Sequence, residues 1–412
     1  MAVSKQSELP RRIFMSGMFD MRNFGDLMFP LIARQRLAGM DIVPVSPTGN
    51  CTGFADALPS IPLSQMMTGG GTAHGILIGG GYMIHGHKMH FLEEYASGGL
   101  RDYAGPGLWL GATLTAAVRD IPIAWNAPGV PHPFASSHHP LVDAAVCAAD
   151  YCSVRDKGSL ELLAPPIDAK VRVVPDPVAG IAQFWSRHAL EAPFKNLLAR
   201  KGSWGDARYL ALHFRNRSLA KLGVPAAATA IDLFSKAQGL VPILVAVGQT
   251  HDDDVLAREI ASHLTAPHIL LDDPVSLMEI AAVFAQSSLY IGASLHGYIA
   301  AAAYDVPAVL VALPSYRKFQ GFVDHSGRGE DLAKDWPHAF AIAGQRANRP
   351  TALPDHLLGA LDRHWRRIEQ AFSDLTQRRN QRLSFLQQWL RRGAEIGGDA
   401  WPHLPFTQRG AE

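Results

Sequence analysis

Ser294-Leu295-His296-Gly297 puts a hydroxyl, an imidazole and a side-chain-free position within one turn of chain. Ser294 can cap a following helix, His296 can carry a proton near neutral pH, and Gly297 removes a side chain that would hold a ligand away. The same residues also read as a capped helix bearing a surface histidine. Cations stand at matching places elsewhere. Arg215 and Arg217 end one apolar run, Arg155 closes another, and Arg317 and Lys318 follow a third. Positive groups at strand ends lie on the rim where ligands bind in parallel sheets. Asn23, Gly25 and Asp26 form a polar turn that either lines a cleft or simply caps a helix. Asp176, fixed between two prolines in PDPV, is a turn former or a placed acid or base.

Two further stretches bear on ligands. Gly79–Gly81 end a short apolar run, and such glycines let backbone approach a ligand or make a tight turn. They do not form GxGxxG, and no acidic residue is placed to read a ribose, so a dinucleotide fingerprint is absent. His85, His87 and His90 follow at once. A His-x-His pair can hold a metal, but no carboxylate or cysteine partner lies nearby, so no metal is expected. A loop over the cleft, touching an acceptor, fits the segment better.

These residues need a scaffold that brings strand ends together. Leu289–Gly292 and Val306–Leu313 read as buried strands flanking an Ala-rich helix over Tyr298–Tyr304, a βαβ unit of a parallel sheet covered on both faces. Further strands are expected at Arg12–Met18, Asp41–Ser46, Gly75–Ile78, Ile121–Trp125, Tyr151–Arg155, Val171–Val174, Tyr209–Phe214 and Val241–Val247. Helices are expected near Gly25–Leu37, Gly107–Arg119, Ser136–Ala148, Ala226–Gln238 and Leu277–Gln286. Repeated βα units in both halves predict two doubly wound domains facing across a cleft, with ligands at the strands' carboxyl ends. The pattern loosens near Lys201–Asp206. The expected division is residues 1–200, 207–350 and a C-terminal helical segment and tail, 351–412. In that last segment Leu361, Trp365, Ile368, Phe372 and Leu375 keep an a/d spacing, while Arg366, Arg367, Arg378, Arg379, Arg382, Arg391 and Arg392 make the other face basic. This fits a membrane-surface helix or, as expected here, a helix packed on the domains with a solvated arginine face.

The chain has 412 residues and a formal charge of +1, which gives no electrostatic footprint for nucleic acid. Its three cysteines, Cys51, Cys147 and Cys152, show no metal spacing and suit a reducing compartment. Neither an apolar leader nor a membrane-length apolar run is visible. The expectation is a cytoplasmic protein, able to work at the inner face of a membrane.

Taken in order, NFGD at Asn23–Asp26, GGG at Gly79–Gly81, SVRDKGS at Ser153–Ser159 and PDPV at Pro175–Val178 resemble the polysaccharide pyruvyltransferase family. So do HFR at His213–Arg215, SLHGYIAAAAYDVPAVLV at Ser294–Val311 and the region of Lys318. The family is similar in fold to GT-B glycosyltransferases, with two Rossmann-like domains. The resemblance implies transfer of a pyruvyl group from phosphoenolpyruvate to sugar hydroxyls of an exopolysaccharide repeat unit, commonly as a cyclic ketal. Many members carry Arg-Leu-His where this chain has Ser294-Leu295-His296, so another residue must supply that positive charge.

On this reading the donor is a co-substrate and no cofactor is implied. Arg215, Arg217, Lys318 and the turn Ser294, Leu295 and Gly297 would hold it in the C-terminal domain. Asn23, Gly80, Gly81, His85 and His87 would meet the glycan acceptor on the N-terminal domain. His296 would transfer a proton, with Asp26 and Asp176 next in line. A lipid-linked acceptor, peripheral contact with a membrane and a homo-oligomer are all compatible with it. The alternatives are a GT-B glycosyltransferase using a nucleotide sugar, and a non-catalytic assembly protein of the same fold.

Overall fold

The computed structural model describes residues 10–401, apart from 70, 90–91, 93–94, 96–99, 203, 205, 220–221, 249–250, 347–348 and 374–377. Among the described residues the strands are β1 (Arg11–Ser16), β2 (Met40–Ser46), β3 (Ile61–Pro62), β4 (Gly75–Ile78), β5 (Ile123–Trp125), β6 (Cys152–Val154) and β7 (Val171–Val173) in the N-terminal half. The C-terminal half holds β8 (Arg208–His213), β9 (Leu240–Val245), β10 (Ile269–Leu271), β11 (Leu289–Gly292), β12 (Ala308–Val311) and β13 (Leu332–Ala333). The first sheet runs β3-β2-β1-β4-β5 and the second β10-β9-β8-β11-β12-β13, with every pairing parallel. β6 and β7 pair separately, and the bridge Ala124–Tyr151 joins them to β5. These are two Rossmann-like sheets, and the architecture is GT-B-like α/β.

Strands buried on both faces need continuous apolar runs, and β4, β11 and β12 are buried at every position. In each sheet the strand order reverses beside the first strand, so the crevices open beyond β1/β4 and β8/β11. The largest apolar cluster spans both domains. Phe24 meets Phe284 edge-on at 5.8 Å. The side chain of Asp56 accepts from the amides of Leu277 and Met278, tying a loop of one domain to a helix start of the other.

Helix 295–303 begins three residues earlier than expected, because Ser294 Oγ accepts from the Gly297 amide at its start. Leu357, Leu361, Trp365, Ile368 and Phe372 form the buried stripe of helix 355–373, while Leu375 lies outside the described residues. Helix 379–397 then packs on helices 139–148 and 112–119 of the N-terminal domain. Arg382 does not lie on a solvated face. It is 1% exposed and bonds to Asp120 and Asp150, whose carboxylates compensate its burial. Among the described residues no helix is long and apolar enough to cross a membrane.

Candidate functional site

The carboxyl ends of both sheets meet around a cavity of about 650 Å³. From the N-terminal domain, the loop after β1 brings Asn23 and Asp26, and the loop after β4 brings Gly81 and His85. Arg155 follows β6. From the C-terminal domain come Arg215 and Arg217 after β8, His251 after β9, Ser294, Leu295 and His296 after β11, and Arg317 and Lys318 after β12.

The two domains come close at His296. A side chain at position 25 would place Cβ 1.6 Å from His296 Nδ1, so glycine is required there for the two helix starts to approach. Phe29 meets the imidazole edge-on at 5.8 Å. Asp176 forms the turn of its motif and also faces His296. Its Oδ1 accepts from the Val178 amide at 3.0 Å, and its Oδ2 lies 3.4 Å from His296 Nε2. Burial alone would raise the Asp176 carboxyl, but His296 and Arg155 outweigh it and hold the group below the usual carboxylate range. An aspartate behind a histidine can orient its ring.

Asp26 behaves in the opposite way. Burial raises its carboxyl above the usual range, with His296 and Lys318 opposing. Gly81, at φ +86°, lies against it, and a Cβ there would stand 2.9 Å from Asp26 Oδ1. Burial holds Lys318 down at about 7, aided by Arg215 and Arg155 and opposed by Asp26 and Asp176. Its ammonium sits 5.4 Å from the Tyr82 ring, over which the Arg155 guanidinium also lies at 4.1 Å. Neither Arg155 Nη2 nor Arg215 Nε, both buried, has a hydrogen-bond partner among the described residues. His251 is held down at about 4, by burial first and then by Arg215. Arg155, whose Nε lies 3.3 Å from Asp156 Oδ2, thus converges with Arg215 and Lys318 on one cavity with donor atoms to spare, an arrangement suited to an anionic ligand.

On the other side of the cavity His85 is buried and held down at about 4 by desolvation and by neighbouring His87 and His132. The His87 and His132 rings meet edge-on at 4.5 Å. Among the described residues no group of three or more His, Cys, Asp or Glu is arranged to hold a metal. His90 lies outside the described residues.

Asn23, Asp26, Gly81, His85, His87, Arg215, Arg217, Ser294, Leu295, His296 and Lys318 therefore share one cavity, with Asp176 directly behind it. Gly80 and Gly297 do not. Gly80 is glycine because Phe29 fills the space where a Cβ would stand, at 2.2 Å. A Cβ at position 297 would stand 2.5 Å from the Tyr290 hydroxyl, so the missing side chain makes room for packing and not for a ligand. Arg155 was visible at a strand end but carried no expected role, and His251, Tyr82 and His132 were not singled out. Each follows a parallel strand or a rim glycine, and strand-end position was the signal that could have found them.

A family model described as polysaccharide pyruvyl transferase matches residues 23–315. No curated protein matches the chain. Among solved structures it is similar to the UDP-GlcNAc 2-epimerase from Methanocaldococcus jannaschii, at 12% identity over 87% of this chain and 99% of that one, with a TM-score of 0.54. It is also similar to the UDP-N-acetylglucosamine 2-epimerase from Rickettsia bellii, at 9% identity over 89% and 98%, with a TM-score of 0.53. Likeness at such identity is one of fold.

Proposed function

Because this chain belongs to the polysaccharide pyruvyl transferase family, we propose that it takes its pyruvyl group from phosphoenolpyruvate and sets it on a glycan as a cyclic ketal, releasing phosphate. The observation that carries this reading is the convergence of Arg155, Arg215 and Lys318 on one cavity, with Arg155 Nη2 and Arg215 Nε lacking a hydrogen-bond partner among the described residues. Phosphoenolpyruvate presents a carboxylate and a phosphate on adjacent atoms, and Arg217 and Arg317 at the rim add further positive charge. Arg155 enters from the N-terminal domain and is the best candidate for the charge that Ser294 does not supply.

The chemistry asks for a proton at the methylene carbon, removal of protons from two hydroxyls, and departure of phosphate. One hydroxyl oxygen bonds to C2 as C3 gains a proton. The C2–O bond to phosphate then breaks, with the electron pair leaving on phosphate, and a second hydroxyl closes the ring on C2. Of the two hydroxyl protons released, one balances that gained by C3 and the other leaves with phosphate. Asp26, shifted toward its protonated form, suits delivery to C3. His296, backed by Asp176, suits removal of the hydroxyl proton. Lys318 and the guanidinium groups suit the charge that gathers on the departing phosphate.

The test is incubation with phosphoenolpyruvate and candidate glycans, reading phosphate release alongside the glycan's mass. Phosphate in step with a ketal-bearing glycan is expected. Turnover of a nucleotide sugar with no reaction of phosphoenolpyruvate would overturn the reading in favour of a glycosyltransferase, and no turnover of either would favour a non-catalytic role.

A further inference from the structure

At the wall of the cavity the Tyr82 ring meets cations from both domains. The Arg155 guanidinium, which follows β6, lies over it at 4.1 Å, and the Lys318 ammonium, which follows β12, at 5.4 Å. Two positive groups this close repel, and Arg155 is among the charges that hold Lys318 down. The negative face of an aromatic ring attracts both. Tyr316 and Phe319, at 5.4 and 5.6 Å, complete a ring of aromatics around Lys318, but both belong to its own helix and its cap. Tyr82 comes from the other domain and is the one of the three that also meets Arg155. The backbone is shaped for this contact. A Cβ at position 129 would stand 2.7 Å from Tyr82 Cδ1 and 2.8 Å from Arg155 Cζ, so glycine is needed there for ring and guanidinium to meet. The Gly129 amide donates to the Gly81 carbonyl at 2.6 Å, and the Arg155 amide to the Pro128 carbonyl at 3.3 Å. Residues 128 and 129 thus pin the chain at both members of the stack.

We propose that Tyr82 is a positioning residue for the donor: its ring holds Arg155 and Lys318 side by side against their repulsion, so that the anion meets two cations already assembled. The inference rests on the phosphoenolpyruvate reading for the identity of that anion. It adds a residue that acts through the cations and not by touching the donor. Without the ring, binding would have to bring together two like charges carried by separate domains, and that cost would be taken from the donor's affinity. The ring face does this work and the hydroxyl has no share in it, so phenylalanine should replace Tyr82 and an aliphatic side chain should not.

Phosphoenolpyruvate and inorganic phosphate are the probes, with affinity read by phosphorus NMR, which follows weak as well as tight binding. Tyr82→Leu should weaken phosphoenolpyruvate binding about tenfold, and Tyr82→Phe should restore it. Gly129→Ala leaves every interacting group in place and sets one methyl against ring and guanidinium, so it should weaken binding roughly threefold or more. It tests the same contact without altering Tyr82, so if one variant fails to fold the other decides. The glycan KM should stay where it is. Coupling separates positioning from a general structural role. In a Lys318→Met background, Tyr82→Leu should lose no more than about a third of the free energy it loses in the wild-type chain. An equal loss in both backgrounds overturns the proposal. So does a Tyr82→Phe variant as weak as Tyr82→Leu, which would give the hydroxyl a contact of its own. A raised glycan KM with unchanged donor affinity also overturns it, making the ring a surface for the acceptor. Binding of phosphate without phosphoenolpyruvate would count against pyruvyl transfer, and the same variants measured with phosphate would then decide the role of Tyr82. Binding of neither anion overturns both.

Discussion

The two sheets share strand order and open their crevices beside equivalent strands, yet the loops leaving them carry opposite chemistry. Beyond β8, β11 and β12 stand Arg215, Arg217 and Lys318, with the capped start of helix 295–303 between them. Beyond β1 and β4 stand Asn23, Asp26, Gly81 and His85, and the carboxyl there is pushed toward its neutral form. Topology fixes where a ligand can sit, and the loop residues decide which ligand. On the proposed function, one rim would take the anionic donor and the other the neutral, hydroxyl-rich acceptor. The exceptions cross over. Arg155 reaches the cationic side from the N-terminal domain, and Asp176 from the same domain stands behind His296. The groups proposed for proton transfer thus assemble where the two domains meet, and neither rim contains all of them.

The largest effect is expected at that meeting point. His296→Asn keeps a polar side chain but cannot carry the proton, so kcat should fall by about a hundredfold or more while phosphoenolpyruvate binds nearly normally. Calorimetry and turnover on one preparation check both halves. Turnover near the wild-type rate would show that another group removes the hydroxyl proton. Next comes the cationic rim. Arg215→Ala removes a charge-assisted contact valued at about 1.5–3 kcal/mol, so the donor KM should rise roughly ten- to a hundredfold with the acceptor KM little changed. If the acceptor KM moves instead, the assignment of the two rims is reversed.

Much of this contrast was legible from residue order, because parallel strands announce themselves as apolar runs and their carboxyl ends are marked by polar residues. Leu277–Gln286 and Leu289–Gly292 have the same limits in sequence and structure, since Ser276 caps the first and unbroken apolar residues make the second. What sequence did not convey was pairing across space. Nothing local to Asp176 says that His296, far along the chain, will face it, and nothing local to Arg382 says that Asp120 and Asp150 will bury it. The glycines were equally opaque. Gly80 and Gly297 were read as openings for ligand, whereas Phe29 and Tyr290 occupy the space beside them. The helix 253–263, which follows His251, was missed because its acidic start, Asp252 to Asp254, reads as a polar loop.

A smaller effect should appear in the pH dependence of donor binding. Lys318 sits at about 7 in the empty site, and a bound anion beside it favours the ammonium form. Below pH 7 the lysine is already charged and donor affinity should be flat. Above pH 7 binding must take up a proton, so affinity should fall by up to about tenfold per pH unit until the value reached in the complex is passed. Lys318→Arg stays charged throughout this range, so its affinity should lose that slope whatever its absolute level. A slope that survives in Lys318→Arg would show that a group other than Lys318 takes up the proton.

The smallest effect belongs to the opposite rim and tests whether it is an acceptor surface at all. His87 is exposed at the cavity mouth and stacked edge-on with His132, so it can reach a sugar without supporting the core. One hydrogen bond to a neutral hydroxyl contributes about 0.5–1.5 kcal/mol net. His87→Ala should therefore raise the glycan KM about three- to tenfold and leave both kcat at saturation and the donor KM within error of wild type. Because Arg215→Ala is expected to move the donor KM alone, the two variants form a crossed pair. Measured with the same glycan, independent sites should give a double variant whose changes add. If His87→Ala raises the donor KM instead, the histidine segment closes over the anion, and the glycan must enter from another face of the cavity.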